Sequence, residues 1–423
     1  MQTDRAENLL SSDWEFASPR DEIEPAHGLD DAVTRDGEAS LSAWGDGNDA
    51  CFGWWYQVVE GIRPGGAFRL TVYLRTDNIL RLWEHAVVRL HWRDARGREV
   101  GKTYIHEHSA EGEWYRIEGT RRAPARATVL EVQLFFRWSA DGRVWWASPT
   151  LVEAPPIEPR PVTLATVRFK PTGATTPEVS LAAFGRLVDE AAARGADIVC
   201  LPEYITSIGG VPLEEAAAPI PGPHTEALGE IARRNGTYVV AAMAERDGRA
   251  IYNTGVLIDR RGELVGTYCK THLAFNEALM GVRQGGGPYR AFDTDFGRVG
   301  IAICYDNLFP EVVRCLALQG AEIVLVPFWD DARDGDYCYR VTSRARCIDN
   351  GVYLVTAAYD GPSLIIDPLG HILADSRDRE GVFTAEIDLA EAPSTCPWLN
   401  SNCGGTWRTR LAVERRAGTY GKA

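Results

Sequence analysis

The sequence predicts a protein of two domains, an all-β domain followed by an α/β domain. Residues 1–158 hold ten of the 13 tryptophans and alternate short apolar runs with turn sequences. From residue 162 onwards, apolar strands alternate with amphipathic helices, which is typical of an α/β domain. The segment 154–161 contains four prolines, which disfavour a helix or a central strand and favour an extended spacer. We therefore predict domains at 1–158 and 159–423, the second with a C-terminal extension.

Six strands are predicted in the first domain, from apolar runs bounded by turn sequences such as Pro64-Gly65-Gly66 and Asp141-Gly142. Short strands with regular turns are typical of a β-sandwich or jelly roll. The predicted strands lie at residues 54–59, 67–75, 86–92, 115–120, 129–138 and 144–146.

The aromatic residues of the first domain have two interpretations. The runs Trp54-Trp55-Tyr56-Gln57 and Val144-Trp145-Trp146 resemble the galactose-binding-like sandwiches found in carbohydrate-binding modules, in which exposed aromatic rings stack on sugars. The alternative is that the tryptophans fill a small core, because aromatic side chains bury large areas. This second interpretation favours a structural domain that packs against the second domain or a dimer partner.

The second domain begins with a regular alternation of strands and helices. Leu181, Phe184 and Val188 share one face of a helix, the spacing of a helix that covers a sheet. Before residue 290, strands are predicted at 162–169, 197–201, 237–245, 251–258 and 263–270, and helices at 177–194 and 224–235. After it, strands are predicted at 299–303, 322–327, 352–358 and 382–387, helices at 310–319 and 337–350, and a hairpin around 367–370.

A cysteine, Cys304, ends the strand predicted at 299–303, shortly before the helix start at Pro310 and Glu311. A thiol at a strand-to-helix turn lies near the positive end of the helix dipole and near free backbone N–H groups. These groups lower the thiol pKa and can hold an oxyanion. Cys304 is therefore a candidate nucleophile. The alternative is a buried structural cysteine, since free cysteines are among the most buried residues.

Two further chemically useful side chains also follow predicted strands. Glu203 closes the strand at 197–201, and Lys270 ends the return strand of a hairpin. In open α/β layers, ligands bind outside the carboxyl ends of the strands. Glu203, Lys270 and Cys304 can therefore converge on one site.

These motifs, in this order, resemble the nitrilase superfamily of carbon–nitrogen hydrolases over residues 161–390. Their order along the chain makes the resemblance specific. The matching segments are Leu-Pro-Glu at 201–203, Tyr-Cys-Lys-Thr-His-Leu at 268–273, Gly-Ile-Ala-Ile-Cys-Tyr-Asp at 300–306, Phe-Pro-Glu at 309–311, Arg-Ala-Arg-Cys-Ile-Asp-Asn-Gly-Val-Tyr at 344–353 and Ser-Leu-Ile-Ile-Asp-Pro-Leu-Gly at 363–370.

The resemblance implies a four-layer αββα sandwich and an enzyme with a Glu-Lys-Cys triad. Cys304 is the implied nucleophile that forms a thioester, and Glu203 the implied general base and then acid. Lys270 and the backbone N–H of Tyr305 are the implied oxyanion donors. The family also implies a homodimer or larger homo-oligomer.

A second glutamate, Glu277, lies seven residues after Lys270 and, in the family, orients the substrate and the lysine. Two glutamates around one lysine leave an excess of negative charge, so we expect a raised pKa for one of them. The alternative for Glu277 is a solvated loop carboxylate. Trp329 and Asp330, which follow a predicted strand, are expected to line the substrate pocket, together with Tyr305; ordinary loop packing is their alternative.

His272 raises the alternative of a Cys–His pair. A structural hydrogen-bonding role is simpler for a histidine two residues after the lysine. One departure from the family is Cys269, where many relatives have arginine before the lysine.

The sequence around the cysteine, Cys304-Tyr305-Asp306, resembles the amidase and carbamoylase branches more than true nitrilases. We therefore expect hydrolysis of a small carboxamide or N-carbamoyl compound, with release of ammonia or an amine. The alternatives are nitrile hydrolysis, acyl transfer to an amine, and a non-catalytic glycan-binding protein.

The composition is that of an ordinary globular protein, with a formal net charge of −14. This charge argues against nucleic acid or an anionic membrane surface as a partner. The N-terminus does not resemble a signal peptide, so a cytoplasmic location is expected. Nine cysteines without CxxC spacing, among them Cys396 and Cys403, indicate neither a disulfide framework nor a zinc site. We expect no cofactor and no metal.

Overall fold

The computed structural model describes residues 7–329, 336–390, 411 and 413–420. The described residues form two compact units, one of residues 7–158 with 411–420 and one of residues 159–390. The C-terminal residues thus belong to the first unit, whereas the sequence had placed them with the second domain. Val413 is buried against Val87 and Phe135 of the first unit, and Tyr104 donates a hydrogen bond to Glu414. Apolar burial that the sequence pattern does not reveal therefore decides where this segment lies.

The first unit consists of antiparallel strands in two sheets, in the orders β1-β4-β10-β6-β7 and β2-β3-β11-β5-β9-β8. All six strands predicted in it are present, and the prediction missed β1, β2, β3, β7 and β8. One short helix, α1 (Leu82–His85), precedes β6. The strands are β1 (Glu15–Ala17), β2 (Ala26–Arg35), β3 (Glu38–Trp44), β4 (Phe52–Glu60), β5 (Ala67–Asp77), β6 (Ala86–Arg93), β7 (Glu99–Ile105), β8 (His108–Glu111), β9 (Trp114–Arg122), β10 (Val129–Arg137) and β11 (Arg143–Ala154).

The two sheets of the first unit share one hydrophobic core. Val88 and Leu134 from one sheet are buried together with Val72 and Leu151 from the other. Trp92 and Trp146 are fully buried in this core, whereas Trp138 is 41% exposed. Every other tryptophan before residue 158 is buried or half-buried, so most of these rings serve packing, in line with the structural interpretation.

The second unit contains two six-stranded mixed sheets, in the orders β16-β15-β14-β13-β12-β23 and β17-β18-β19-β20-β21-β22. The central strands of each sheet are parallel. Its strands are β12 (Pro161–Arg168), β13 (Ile198–Cys200), β14 (Tyr238–Asp247), β15 (Ala250–Ile258), β16 (Leu264–Cys269), β17 (Ala291–Asp293), β18 (Arg298–Ile301), β19 (Ile323–Pro327), β20 (Tyr353–Ala357), β21 (Leu364–Ile366), β22 (Ile372–Asp375) and β23 (Gly381–Asp388). Its helices are α2 (Pro177–Ala193), α3 (Leu213–Ala216), α4 (Pro223–Asn235), α5 (Phe275–Leu279), α6 (Pro310–Leu318) and α7 (Asp336–Asn350).

Successive side chains of a strand point to opposite faces of its sheet. The side chains on one face of each sheet pack between the two sheets. Leu164 of β12 is buried together with Ile301 of β18 between the sheets. Val167 of β12 instead contributes to the cluster that includes Phe184 of α2, on the other face of the first sheet. Helix α6 lies close to the second sheet at Gly300: a Cβ atom added to this glycine would lie 3.1 Å from the side chain of Leu316 on α6. Helices therefore cover the outer faces of two stacked sheets, a mixed α/β fold as predicted.

No helix among the described residues is both long enough and apolar enough to cross a membrane.

Candidate active site

Glu203, Lys270 and Cys304 each follow the carboxyl end of a strand. Glu203 comes after β13 and Lys270 directly after β16, both in the first sheet of the second unit, whereas Cys304 comes after β18 in the second sheet. Their exposed fractions are 1%, 1% and 8%. The site therefore lies where the carboxyl ends of two stacked sheets meet, in surroundings largely closed to water.

The structure brings the predicted residues together. Lys270 Nζ lies 2.7 Å from Glu203 Oε1 and 2.6 Å from Glu277 Oε2. Cys304 lies close enough to Glu203 and Lys270 for their charges to shift the pKa of its thiol, upwards for Glu203 and downwards for Lys270, and the backbone N–H of Trp329 also lowers it. Glu277 is 7% exposed on the short helix α5, so the alternative of a solvated loop carboxylate does not fit.

Two residues at the site have unusual backbone conformations. Cys304 has φ 45° and Tyr204, next to Glu203, has φ 55°, both in the left-handed region that non-glycine residues rarely adopt. Such conformations persist only where the surrounding structure fixes them, and they concentrate at functional sites. At Cys304 the chain turns from β18 into a single 3-10 turn, residues Cys304–Leu308, before α6 begins.

The Cys304 thiol does not have the lowered pKa that the sequence suggested. Burial raises its pKa above the ordinary value of a thiol, and the charge of Glu203 raises it further, although Lys270 acts in the opposite direction. The turn after Cys304 is one 3-10 turn rather than a long helix, so its dipole is weak beside these effects. The resting thiol is therefore protonated and needs a neighbouring base.

The two glutamates differ in the direction of their pKa shifts. Burial raises the pKa of Glu203 and outweighs the opposing effect of Lys270, while Glu277 adds to the increase. Burial also acts to raise the pKa of Glu277, but Lys270, Asn253 and the N–H of Ala274 outweigh it and leave that pKa below its ordinary value. The pKa values of the two carboxyls thus shift in opposite directions, and the raised one agrees with the expectation from the excess of negative charge.

Lys270 is held in its charged form. Burial alone lowers the pKa of a lysine, but the charges of Glu203, Cys304 and Glu277 reverse this effect and raise the pKa of Lys270 above its ordinary value. A buried ammonium group that stays charged can stabilise negative charge that develops on a bound substrate.

Sequence reasoning missed Asn253 and Tyr204. Asn253 Nδ2 donates to Glu203 Oε1 at 2.7 Å and to Glu277 Oε1 at 2.8 Å. The hydroxyl of Tyr204 donates to Glu277 Oε1 at 2.9 Å. A signal for Asn253 was present in the sequence, because Asn253 and Thr254 interrupt an otherwise apolar strand without a turn. Both are fully buried in β15.

A second buried carboxylate, Asp306, connects the turn after Cys304 to the segment that carries Lys270. Asp306 is fully buried and accepts hydrogen bonds from the backbone N–H of Ile303 and from the hydroxyl of Tyr268. It also accepts from the backbone N–H of His272, and His272 Nδ1 lies 2.9 Å from Asp306 Oδ1. The ring of His272 is therefore engaged with Asp306, as the structural interpretation of this histidine expected.

The predicted substrate-binding residues have different surroundings. Trp329 is 38% exposed, and its ring lies edge-on to those of Tyr204 and Tyr359, with centroids 6.3 Å and 5.4 Å away. Tyr305 is half-buried and its ring lies edge-on to Phe309. Asp330 lies outside the described residues. Among the described residues, no group of three or more His, Cys, Asp or Glu side chains is arranged to hold a metal ion.

The chain was compared with protein families and curated proteins. The family model for carbon–nitrogen hydrolases matches residues 163–395. A protein of Pyrococcus abyssi named nitrilase is 37% identical over 224 residues, which cover 48% of this chain and 81% of that protein. Human omega-amidase NIT2 is 32% identical over 223 residues, covering 48% of this chain and 80% of the relative.

Solved structures show the same fold. Nit3 of Saccharomyces cerevisiae, a member of the nitrilase superfamily, matches with a TM-score of 0.50 and 24% identity over 54% of this chain and 90% of its own. A mutant of the Nesterenkonia AN1 amidase matches with a TM-score of 0.50 and 22% identity, covering 61% of this chain and 95% of that chain. With its family model and its relatives in agreement, the chain belongs to the carbon–nitrogen hydrolase family and is an enzyme.

Proposed function

We propose that this enzyme hydrolyses the C–N bond of a small carboxamide or N-carbamoyl compound through a thioester on Cys304. The observation that carries the proposal is the convergence of Glu203, Lys270 and Cys304 in one buried site. The names of several relatives, among them the omega-amidase NIT2-A of Xenopus laevis, support an amide substrate. Because the chain is an enzyme, we set aside the alternative of a non-catalytic protein.

In the first half of the reaction, ionised Glu203 accepts the thiol proton while the sulfur of Cys304 attacks the carbonyl carbon. The carbonyl oxygen becomes an oxyanion, which Lys270 and the backbone N–H of Tyr305 stabilise. The tetrahedral intermediate then collapses, the C–N bond breaks, and the nitrogen leaves with the proton that Glu203 held. A thioester on Cys304 remains.

In the second half, Glu203 removes a proton from a water molecule that attacks the thioester. The C–S bond breaks, and Cys304 recovers its proton from Glu203. The balance is one water consumed, one acid formed and one ammonia or amine released. A carboxyl with a raised pKa suits this double role, because it takes up a proton more readily than an ordinary glutamate and can return it to the leaving nitrogen. Glu277 holds Lys270 in place throughout.

Tyr305, Trp329 and Asp330 are proposed to contact the substrate. For Trp329 the support is its position: its backbone N–H lies near enough to the Cys304 thiol to lower the thiol pKa, and its ring lies edge-on to that of Tyr204. An apolar acyl group would pack well against these aromatic rings.

The test is release of ammonia from a panel of small carboxamides and N-carbamoyl amino acids, with native protein and with Cys304→Ala. We expect release by the native chain and none above background by the variant. Equal release from both would exclude the thioester route. Covalent adducts on Cys304, read by peptide mass spectrometry, would identify the acyl group.

Two alternatives use the same residues. The similarity to a protein named nitrilase favours including nitriles in the panel. Acyl transfer is tested by adding hydroxylamine, since a thioester that amines intercept yields a hydroxamate. Hydrolysis predicts that the acid remains the main product when an amine is present.

For the remainder of the molecule, we propose a domain boundary at residues 158 and 159, a galactose-binding-like sandwich for the first unit, and a homodimer or larger homo-oligomer. The antiparallel sheets of the first unit and their shared core support the sandwich. Six of the described cysteines form no disulfide with another described residue, which is compatible with a reducing compartment; they are Cys51, Cys200, Cys269, Cys304, Cys338 and Cys347.

A further inference from the structure

One neutral side chain bridges the two glutamates beside Lys270. Asn253 Nδ2 donates to Glu203 Oε1 at 2.7 Å and to Glu277 Oε1 at 2.8 Å, so each of its amide hydrogens serves one carboxylate. The side chain is fully buried. The mechanism above uses both glutamates but assigns nothing to this amide.

The orientation of this amide is fixed by its neighbours. Both groups in contact with Nδ2 are carboxylates, so a flipped amide would set its oxygen against two acceptors and lose both hydrogen bonds. Asn253 Oδ1 has no hydrogen-bond partner among the described residues, although it is buried. A buried acceptor without a partner destabilises the fold, which indicates that the two bonds to the carboxylates outweigh this penalty.

Asn253 is also tied to the lysine. The backbone N–H of Lys270 donates to the carbonyl oxygen of Asn253 at 2.8 Å. The same residue therefore fixes the chain that carries the ammonium group and both carboxylates that the ammonium group contacts.

The donors are distributed unequally between the two glutamates. Lys270 and Asn253 both donate to Oε1 of Glu203. On Glu277, Asn253 and Tyr204 donate to Oε1, while Lys270 and a backbone N–H donate to Oε2. Glu277 is therefore saturated on both oxygens, which favours its charged form, whereas these donors occupy only one oxygen of Glu203.

We propose that Asn253 is a positioning residue for the hydrolysis proposed above. Its amide keeps Glu277 ionised and fixes Oε1 of Glu203, so that Oε2 faces the Cys304 thiol and exchanges the proton. The amide thereby decides which of two chemically identical side chains serves as the base.

The electrostatics agree with this role. Burial raises the pKa of Glu203, and the hydrogen bond from Asn253 counteracts the increase. Loss of the amide should therefore raise the pKa of Glu203 further, because its charged form loses a donor. If Asn253 only filled space, its replacement would leave the pKa of Glu203 unchanged.

The experiment compares the native chain with Asn253→Leu, which has a similar shape without the amide, and Asn253→Ala. Two profiles against pH are measured: kcat/KM for an amide substrate, and the rate of Cys304 alkylation by iodoacetamide, followed on its own peptide by mass spectrometry. We expect the midpoint of the acid limb to move to higher pH by about one unit in both profiles, the shift typical of one lost hydrogen bond to a carboxylate.

Asn350→Ala is the matched control. Asn350 is also buried, donates one hydrogen bond through Nδ2 and has an unpaired Oδ1, but it lies on α7 and bonds to the carbonyl oxygen of Arg346. It should leave both midpoints unchanged. Circular dichroism establishes which variants fold.

Lower activity with unshifted midpoints in the folded variants would overturn the proposal, and so would failure of both Asn253 variants to fold while Asn350→Ala folds. Neither result would disprove the thioester route. If the native chain hydrolysed nothing in the panel, the proposed function would fail, and the alkylation profile would still decide the role of Asn253.

Discussion

The second unit contains two buried carboxylate clusters that look similar and serve different purposes. We call Glu203, Lys270 and Glu277 the lysine cluster, and Asp306 with Tyr268, His272 and Ile303 the Asp306 cluster. Both lie at the strand ends around Cys304. In the lysine cluster two carboxylates share one ammonium group, whereas in the Asp306 cluster one carboxylate accepts from backbone N–H groups and a hydroxyl.

This difference shows that a buried carboxylate can serve either stability or proton exchange, depending on its partners. A carboxylate surrounded by fixed donors, such as Asp306, holds chain segments together because each donor is satisfied by a stationary acceptor. Two carboxylates that compete for one cation have divergent pKa values, so one of them can exchange a proton. The Asp306 cluster should therefore govern stability, and the lysine cluster should govern chemistry.

The largest effect is expected from Lys270→Met in the lysine cluster. The change removes the cation that two buried carboxylates share and the proposed oxyanion donor. We expect kcat to fall about 10³-fold and the free energy of unfolding to fall by about 3 kcal/mol, because a buried pair loses one partner. Ammonia release and urea unfolding measure the two quantities.

The matched control is Lys170→Met, which breaks an ion pair with Asp360 in which both side chains are about two-fifths exposed, 40% and 44%. Lys170→Met should lower the free energy of unfolding by about 0.5 kcal/mol and leave kcat unchanged. If Lys270→Met kept native kcat, the lysine cluster would have no part in the chemistry.

Glu203→Gln tests the proton exchange. The variant cannot act as a base, so kcat should fall about 10²-fold. In the native chain, the acid limb of kcat/KM should lie above pH 4.5, the ordinary value for glutamate, because the pKa of Glu203 is raised.

The free energy of unfolding should also depend on the protonation of Glu203. A carboxyl whose pKa is raised on folding contributes stability below its unfolded pKa and loses it as pH rises through the folded pKa. Glutamine mimics the protonated form, so Glu203→Gln should gain stability relative to the native chain as pH increases above 4.5. Urea unfolding from pH 4 to pH 8 measures this, with the exposed Glu190→Gln as control. A constant difference across this range would contradict a raised pKa.

Asp306→Asn tests the other cluster. The amide offers one acceptor and turns an NH₂ group towards donors, so buried N–H and O–H groups lose their partners. We expect a loss of about 2–3 kcal/mol in the free energy of unfolding and a smaller effect on kcat, about tenfold, through displacement of the turn after Cys304.

Asp367→Asn is the control, because Asp367 also accepts from two backbone N–H groups and contacts a histidine Nδ1, but its side chain is only partly buried, with 19% exposed. Asp367→Asn should lower the free energy of unfolding by less than about 1 kcal/mol. Equal losses for Asp306→Asn and Asp367→Asn would remove burial as the reason for the first effect.

The smallest effect is expected from Tyr204→Phe, which removes one of the hydrogen bonds to Glu277. The carboxylate keeps its bonds to Lys270, Asn253 and the N–H of Ala274, so kcat/KM should fall only about 3- to 10-fold. Tyr252→Phe on the strand β15 should leave kcat/KM unchanged. A loss as large as that of Glu203→Gln would show that Glu277 rather than Glu203 exchanges the proton.

Much of the second unit could be predicted from local sequence. Apolar runs predicted the strands before Glu203 and Cys304, because a strand buried on both faces is apolar throughout. The hairpin predicted the strand that ends at Lys270. The prediction for Glu277 came from the family resemblance. Tyr204 escaped prediction because a single residue after a strand has no periodic signature. The polar interruption of an apolar strand at Asn253 was a signal, but it could not show which residues Asn253 contacts, because they lie far along the chain.

The first unit was harder to predict. Strand β2 was missed because its residues are half-exposed or exposed, and β3 was missed because buried serines interrupt its apolar pattern. The C-terminal residues around Val413 were assigned to the wrong unit, because a short segment that buries one side chain far along the chain shows no pattern of its own.

By itself, the sequence predicted a mixed α/β fold, a two-part organisation and a set of candidate reactive side chains, because strand periodicity, prolines and residue chemistry are local properties. Only the tertiary structure decided that Glu203 and Lys270 come from one sheet and Cys304 from the other. It also decided that Glu203 rather than Glu277 has the raised pKa. Burial and hydrogen bonding set these properties, and both depend on which distant residues the fold places in contact.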